Sequence, residues 1–162
     1  MKSFETARMD RATMIYTIIF GAFSTGAIAF LAYTATVDGQ AVKWIVTALL
    51  LAAAISAYLM IPKLEITNQT IYIKNFFVTI KIPFADIAEI EKYERIGFNV
   101  RTFGVGGLFG YFGYFNGNDV WYVTNIKKKI KIKLKSGKVI MISPEDPAVF
   151  LTTVRSLIPS ES

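Results

Sequence analysis

Hydrophobic and polar positions divide the chain into two unlike parts. Up to Ile61 the apolar residues run together, and beyond it they alternate. Ala12 to Val37 carries no charged residue, and Trp44 to Ile61 is a second uncharged run. At about 1.5 Å per helical residue the runs reach roughly 39 Å and roughly 27 Å, against a hydrocarbon core about 30 Å thick. The pattern predicts a transmembrane hairpin over residues 1–61, with helices at about 12–37 and 44–61 and Asp38 to Lys43 as the link. Small residues recur four apart at Ala22 and Gly26, at Thr25 and Ala29, and at Ala48, Ala52 and Ser56. That spacing lets helix backbones approach closely in lipid and predicts packing within the hairpin. Tyr16, Tyr33, Trp44 and Tyr58 lie toward the run ends, where amphipathic rings favour the interface. Lys2, Arg8 and Arg11 could open a cleaved leader, but the apolar run far exceeds the about 7–15 residues of a signal core.

From Pro62 the alternation has a period of two, the signature of half-buried strands. Leu64 to Thr67, Ile71 to Lys74 and Phe77 to Ile82 predict an antiparallel three-strand meander. Pro83 to Ile87 predicts an irregular link with one helical turn, and Ala88 to Ile96 a further strand. Val120 to Thr124 is strand-like. Lys127 to Lys135 alternates most clearly of all, then turns at Ser136-Gly137 and returns as Lys138 to Ile142. Period two puts Lys129, Lys131, Lys133 and Lys135 on one face, opposite Ile130, Ile132 and Leu134. Ser143 as N-cap, with Pro144 at the first position and Asp146 as the capping-box acid, predicts a C-terminal helix over about 144–158, closed by Pro159. Phe150, Val154, Leu157 and Ile158 form its apolar stripe.

Between these strands lies a run of another kind, from Arg101 to Trp121. Glycine stands at 104, 106, 107, 110, 113 and 117, and Phe or Tyr at 103, 109, 111, 112, 114 and 115. The mixture predicts either a long loop pinned by its own rings or a Gly-kinked hairpin. Its aromatics are either a self-packed cap or a contact surface for a bilayer or a partner. A dinucleotide fingerprint beginning at Gly104 needs glycine where Phe109 stands, and no Gly-Lys-Ser/Thr follows for a P-loop.

Charge and composition narrow the chemistry. The chain has no cysteine and no histidine, so disulfides, thiol catalysis and the commonest general base are excluded. Net charge is +6, and from Pro62 onward 14 Lys or Arg face 9 Asp or Glu. Beside a bilayer that excess favours anionic headgroups over nucleic acid. The lysine row is either a solvated face that blunts edge-to-edge aggregation or a platform for those headgroups. The interleaved residues are aliphatic, unlike the aromatics of nucleic-acid platforms.

Several short strands followed by one amphipathic helix is the plan of a pleckstrin-homology-like barrel. Over about residues 62–158 the chain resembles small bacterial membrane proteins with a bacterial PH-like domain. The likeness rests on Arg101-Thr-Phe-Gly104, Gly106-Gly107-Leu-Phe109-Gly110-Tyr111-Phe-Gly113, Tyr122-Val-Thr124 and Ile142-Ser143-Pro144-Glu-Asp146-Pro-Ala-Val-Phe150. The resemblance implies a membrane α-helical hairpin followed by a mainly-β barrel of about seven strands, at 62–162, with one C-terminal capping helix. It implies no catalytic residues, and the residues themselves give no expectation of a cofactor or a metal. It implies a bacterial inner membrane, and relatives include proteins that assemble into rings. The positive-inside rule, applied to Lys2, Arg8, Arg11, Lys63 and Lys74 against Lys43, places both termini in the cytoplasm. The expected function is a non-enzymatic membrane-anchored interaction module that contacts a protein partner, itself, or anionic lipid headgroups. Its contact residues would be Arg101, Phe109, Tyr111 and Tyr114, with Lys129, Lys131 and Lys133 as the electrostatic part. Two rivals remain: a membrane enzyme using carboxylates such as Asp86, Glu89, Glu91 and Asp119, and a small pore-forming oligomer. Neither run carries an ionisable residue of the kind transport pathways use.

Overall fold

The computed structural model describes residues 1–38, 41–93, 101–106 and 108–158. Two helices come first, α1 (Arg11–Asp38) and α2 (Ala41–Leu59), after a short strand β1 (Lys2–Phe4). Both helices are long and apolar enough to cross a membrane. They pack against each other and leave most of their large apolar side chains bare, Phe23 at 76% exposure and Leu49 at 64%. The packed face differs from the one the four-residue spacing suggests. Thr13, Ala35, Thr47 and Ala57 are buried, whereas Ala22, Thr25, Gly26, Ala29, Ala48 and Ala52 face outward. Small residues are common all round these helices, so their spacing cannot select a face. Bonds from Asp10 and Thr17 to the β domain turn α1 to the observed one. Gly39 and Gln40 of the expected link lie outside the described residues.

The β domain follows as two sheets. β2 (Lys63–Ile66), β3 (Thr70–Lys74) and β4 (Thr79–Pro83) form the expected antiparallel meander. Phe84–Asp86 makes one 3-10 turn, as the irregular link predicts. β5 (Ile87–Lys92), β6 (Arg101–Gly106), β7 (Tyr111–Phe115), β8 (Asp119–Val123), β9 (Ile130–Leu134) and β10 (Val139–Ile142) complete the strands. Their sheet runs in the order β5-β9-β10-β8-β7-β6, with β8 and β10 parallel. Residues 94–96 of the expected fourth strand lie outside the described residues. Among the described residues nine strands follow Pro62, more than alternation alone marks, because the Gly-aromatic run supplies the hairpin β6–β7.

Alternation explains the core. Leu64, Ile66, Ile71, Ile73, Ile82, Ile130, Ile132, Ile140 and Ile142 point between the sheets. α3 (Pro147–Leu157) plugs this space with Phe150, Leu151 and Val154. Its start is a correction. Asp146, not Ser143, is the N-cap, accepting from the N–H groups of Ala148 and Val149 at 3.0 Å, and Pro147 takes the first position. Ser143 is fully buried, and its hydroxyl accepts from Thr124 N at 2.8 Å. Two Ser/Asp-Pro steps stand in tandem, and the acid makes the stronger cap because it can accept both bonds. Pro159 lies outside the described residues.

The N-terminal segment is laid into this domain. β1 pairs antiparallel with β2, Lys2 opposite Ile66 and Phe4 opposite Leu64. Phe4 meets Phe150 edge-on, with centroids 5.1 Å apart. Beyond β1 the backbone continues along β10: Ala7 N donates to Ser143 O, and Glu145 N donates to Glu5 O, both at 2.8 Å. Asp10 closes the segment. Its carboxylate caps α1 through Thr13 N at 2.9 Å and accepts from Ile126 N at 3.0 Å.

Candidate functional site

The β6–β7 hairpin is built by two facing glycines. Gly104 and Gly113 are register partners, each with φ near +123°. A Cβ on Gly104 would stand 2.1 Å from Phe112 O, so only glycine permits the strands to approach this closely. The hairpin tip then folds back onto the helices. Phe109 takes a left-handed φ of 59°, and its N–H donates to Thr17 Oγ1 of α1 at 2.9 Å. Its ring meets Tyr58 of α2 edge-on at 5.5 Å. Phe109 is therefore a clamp between the β domain and both helices, a part that sequence reasoning assigned to outward contact.

The other candidates separate. Tyr111 is half-buried, edge-on to Phe115 and Trp121. Tyr114 is 45% exposed and pairs across the strands with Phe103, which is 75% exposed. Arg101 opens β6 opposite Phe115; its side chain lies outside the described residues.

The lysine row shares a face, as period two requires, but the face is not uniformly wet. On it Phe115, Trp121, Val123 and Met141 form a second apolar cluster with Tyr93 and Tyr111 beside them. Lys129 lies within that layer at 1% exposure, its Nζ 4.8 Å from the Tyr93 ring centre and 5.0 Å from that of Trp121. Its placement on the outer surface is thus corrected: the aromatic rings of β8 and the end of β5 cover it. Burial lowers the Lys129 ammonium below its ordinary pKa. Lys131 is paired with Glu91 at 3.2 Å, and Lys133 is exposed.

The carboxylates of the enzyme rival are dispersed. Glu91 is engaged with Lys131, and Glu89 faces Lys133 across β5–β9. Burial raises the Asp119 carboxyl, partly offset by a hydrogen bond with Asn116 and by the charge of Lys131. No group of three Asp or Glu among the described residues is placed to hold a metal ion.

The family profile described as Bacterial PH domain matches residues 62–158. The chain belongs to this family. No curated protein and no solved structure matches it. The match covers β2 through α3, so the PH domain is the unit carrying both the clamp at Phe109 and the outward pair Phe103–Tyr114.

Sequence reasoning missed three parts of this surface. Phe103 was one aromatic among six and gained its place only from the register with Tyr114. Phe77 and Val78, expected to open the third strand, lie instead with Phe76 in an exposed turn, and β4 begins at Thr79. The only signal for β1 was the alternation Lys2-Ser3-Phe4-Glu5, too short to weigh against the basic flank of a membrane run.

Proposed function

We propose that this protein is a membrane-anchored interaction module. Its helix pair crosses the bacterial inner membrane, and its PH domain stands at the cytoplasmic leaflet and acts by binding a protein partner or a second copy. The single observation that carries the reading is the β1–β2 pairing. The segments before α1 and after α2 lie in one sheet, and a bilayer allows that only when both are on the same side. The basic residues flanking the helices favour the cytoplasm for that side. The clamp of Phe109 on Thr17 and Tyr58 supports a fixed stance of the domain over the helix ends.

With Phe109, Tyr111 and Lys129 turned inward, the contact surface is carried by the cross-strand pair Phe103 and Tyr114. An open cavity of about 450 Å³ lies beside Tyr114, bordered by Asn118, Ser136, Gly137 and Lys138. The test uses the cysteine-free background. In whole cells a membrane-impermeant maleimide should label Gln40→Cys and leave Ser136→Cys unlabelled until the membrane is opened. A photocrosslinker at Phe103 should then give a discrete protein adduct that Tyr114→Ser weakens. Labelling of Ser136→Cys in intact cells, or adducts to lipid alone, overturns the proposal.

A further inference from the structure

The turn between β3 and β4 exposes three apolar residues in succession: Phe76 at 75%, Phe77 at 53% and Val78 at 48%. The turn is built to hold them there. Asn75 Oδ1 accepts from Phe77 N at 2.9 Å and from Val78 N at 2.7 Å, and Asn75 N donates to Val78 O at 2.9 Å. The rings of Phe76 and Phe77 meet edge-on at 5.4 Å. In water this arrangement leaves large apolar area uncovered.

Its position says what covers it. Phe76 N donates to Leu59 O, the last residue of α2, at 3.3 Å. The turn therefore sits level with the point where the apolar helix ends, beside Tyr58 and just short of Lys63, the residue types that mark a headgroup layer. A cavity of about 490 Å³ opens between the turn and the helix end, lined by Tyr58, Leu59, Pro62, Lys63, Lys74 and Phe76. Lys74 is engaged with Glu65. The Lys63 side chain is exposed and forms no hydrogen bond or ion pair among the described residues.

We propose that this turn is a second, shallow membrane anchor, with Phe76, Phe77 and Val78 immersed in the boundary between acyl chains and headgroups of the leaflet that α2 leaves. Lys63 meets the phosphate of a lipid seated in the adjoining cavity. A helix end, an apolar turn and a lysine at one depth give the PH domain two points of attachment and so a defined tilt on the bilayer. The inference rests on the reading of α1 and α2 as membrane spans.

The experiment uses the full chain in nanodiscs of phosphatidylglycerol and phosphatidylcholine. Single nitroxides are placed by Phe23→Cys in α1, by Val78→Cys in the turn and by Lys138→Cys at the far end of the β domain. Collision with dissolved oxygen is compared with collision with a water-soluble nickel chelate. The Val78 label should be reached by oxygen and shielded from nickel, at a depth between the other two. Replacing Phe76 and Phe77 by serine should raise its nickel accessibility toward the Lys138 value while the Phe23 label stays deep. A Val78 label as nickel-accessible as Lys138, with Phe23 still deep, overturns the anchor alone. A nickel-accessible Phe23 label overturns the membrane spans and the anchor with them.

Discussion

Burial holds the Lys129 ammonium below its ordinary pKa, and a pH dependence follows from that. Below the folded value both the folded and the unfolded chain carry the proton. As pH rises past the folded value, the folded chain releases it while the unfolded chain keeps it up to about 10.4. The unfolded state then binds more protons, so stability rises with pH in that window. Tyr122 acts in the opposite sense but later. Burial raises its phenol, so its unfavourable contribution begins only above about pH 10. Thermal unfolding of the full chain in detergent should therefore show a rise in midpoint on approaching pH 10. Lys129→Met, which keeps the stem among Tyr93 and Trp121, should flatten that rise. The alternation at Lys127–Lys135 was legible in the sequence to the residue, yet the environment of Lys129 was not. Period two assigns a side chain to a face, but the rings that cover that face come from β8 and from Tyr93, distant in the chain.

At the scale of elements, the strands with regular alternation are legible in the sequence nearly to their ends, whereas the Gly-aromatic run fits either a loop or a hairpin. The reason is local. Gly104 and Gly113 have no side chain to alternate, so the cue that marks β2, β3 and β9 is missing from β6 and β7. What replaces it is contact between facing backbones, visible only in register. Gly104→Ala should cost about 2–4 kcal/mol from positive φ and overpacking together, measured by thermal or chemical unfolding. Gly117→Ala meets no neighbouring atom and should cost less, through φ alone. The hairpin's second task is the clamp. Thr17→Val keeps the shape of α1 but removes the acceptor for Phe109 N. Hydrogen exchange at the Phe109 amide should then quicken several-fold while β8 amides stay protected. Equal exchange in both proteins would show that the tip is held by the Tyr58 ring contact alone.

Across the whole molecule, the N-terminal segment ties the two parts together, and one surface ion pair fastens it. Glu145 accepts from Arg8 N at 2.8 Å and pairs with Lys128, whose Nζ also donates to Glu145 O at 2.8 Å. The Lys128 hydrogen bond first, and the Arg8 backbone second, hold the Glu145 carboxyl below its ordinary pKa. A depressed carboxyl contributes stability above its unfolded value, about 4.3, and loses that contribution as pH falls through the folded value. Acidification below about pH 4 should therefore loosen residues 5–8 from Ser143 and Glu145 before the core of β9 and β10 opens. Exchange at the Ala7 and Arg8 amides, followed from pH 6 downward and corrected for intrinsic rates, should accelerate in that window. Glu145→Gln should already be loose at pH 6 and show no such step. The competing outcome is informative about the same contact. If the Ala7 amide stays protected in Glu145→Gln, then the bonds through Thr124, Ser143 and Asp10 hold the segment unaided, and the charged pair is only a surface feature, as exposed pairs commonly are.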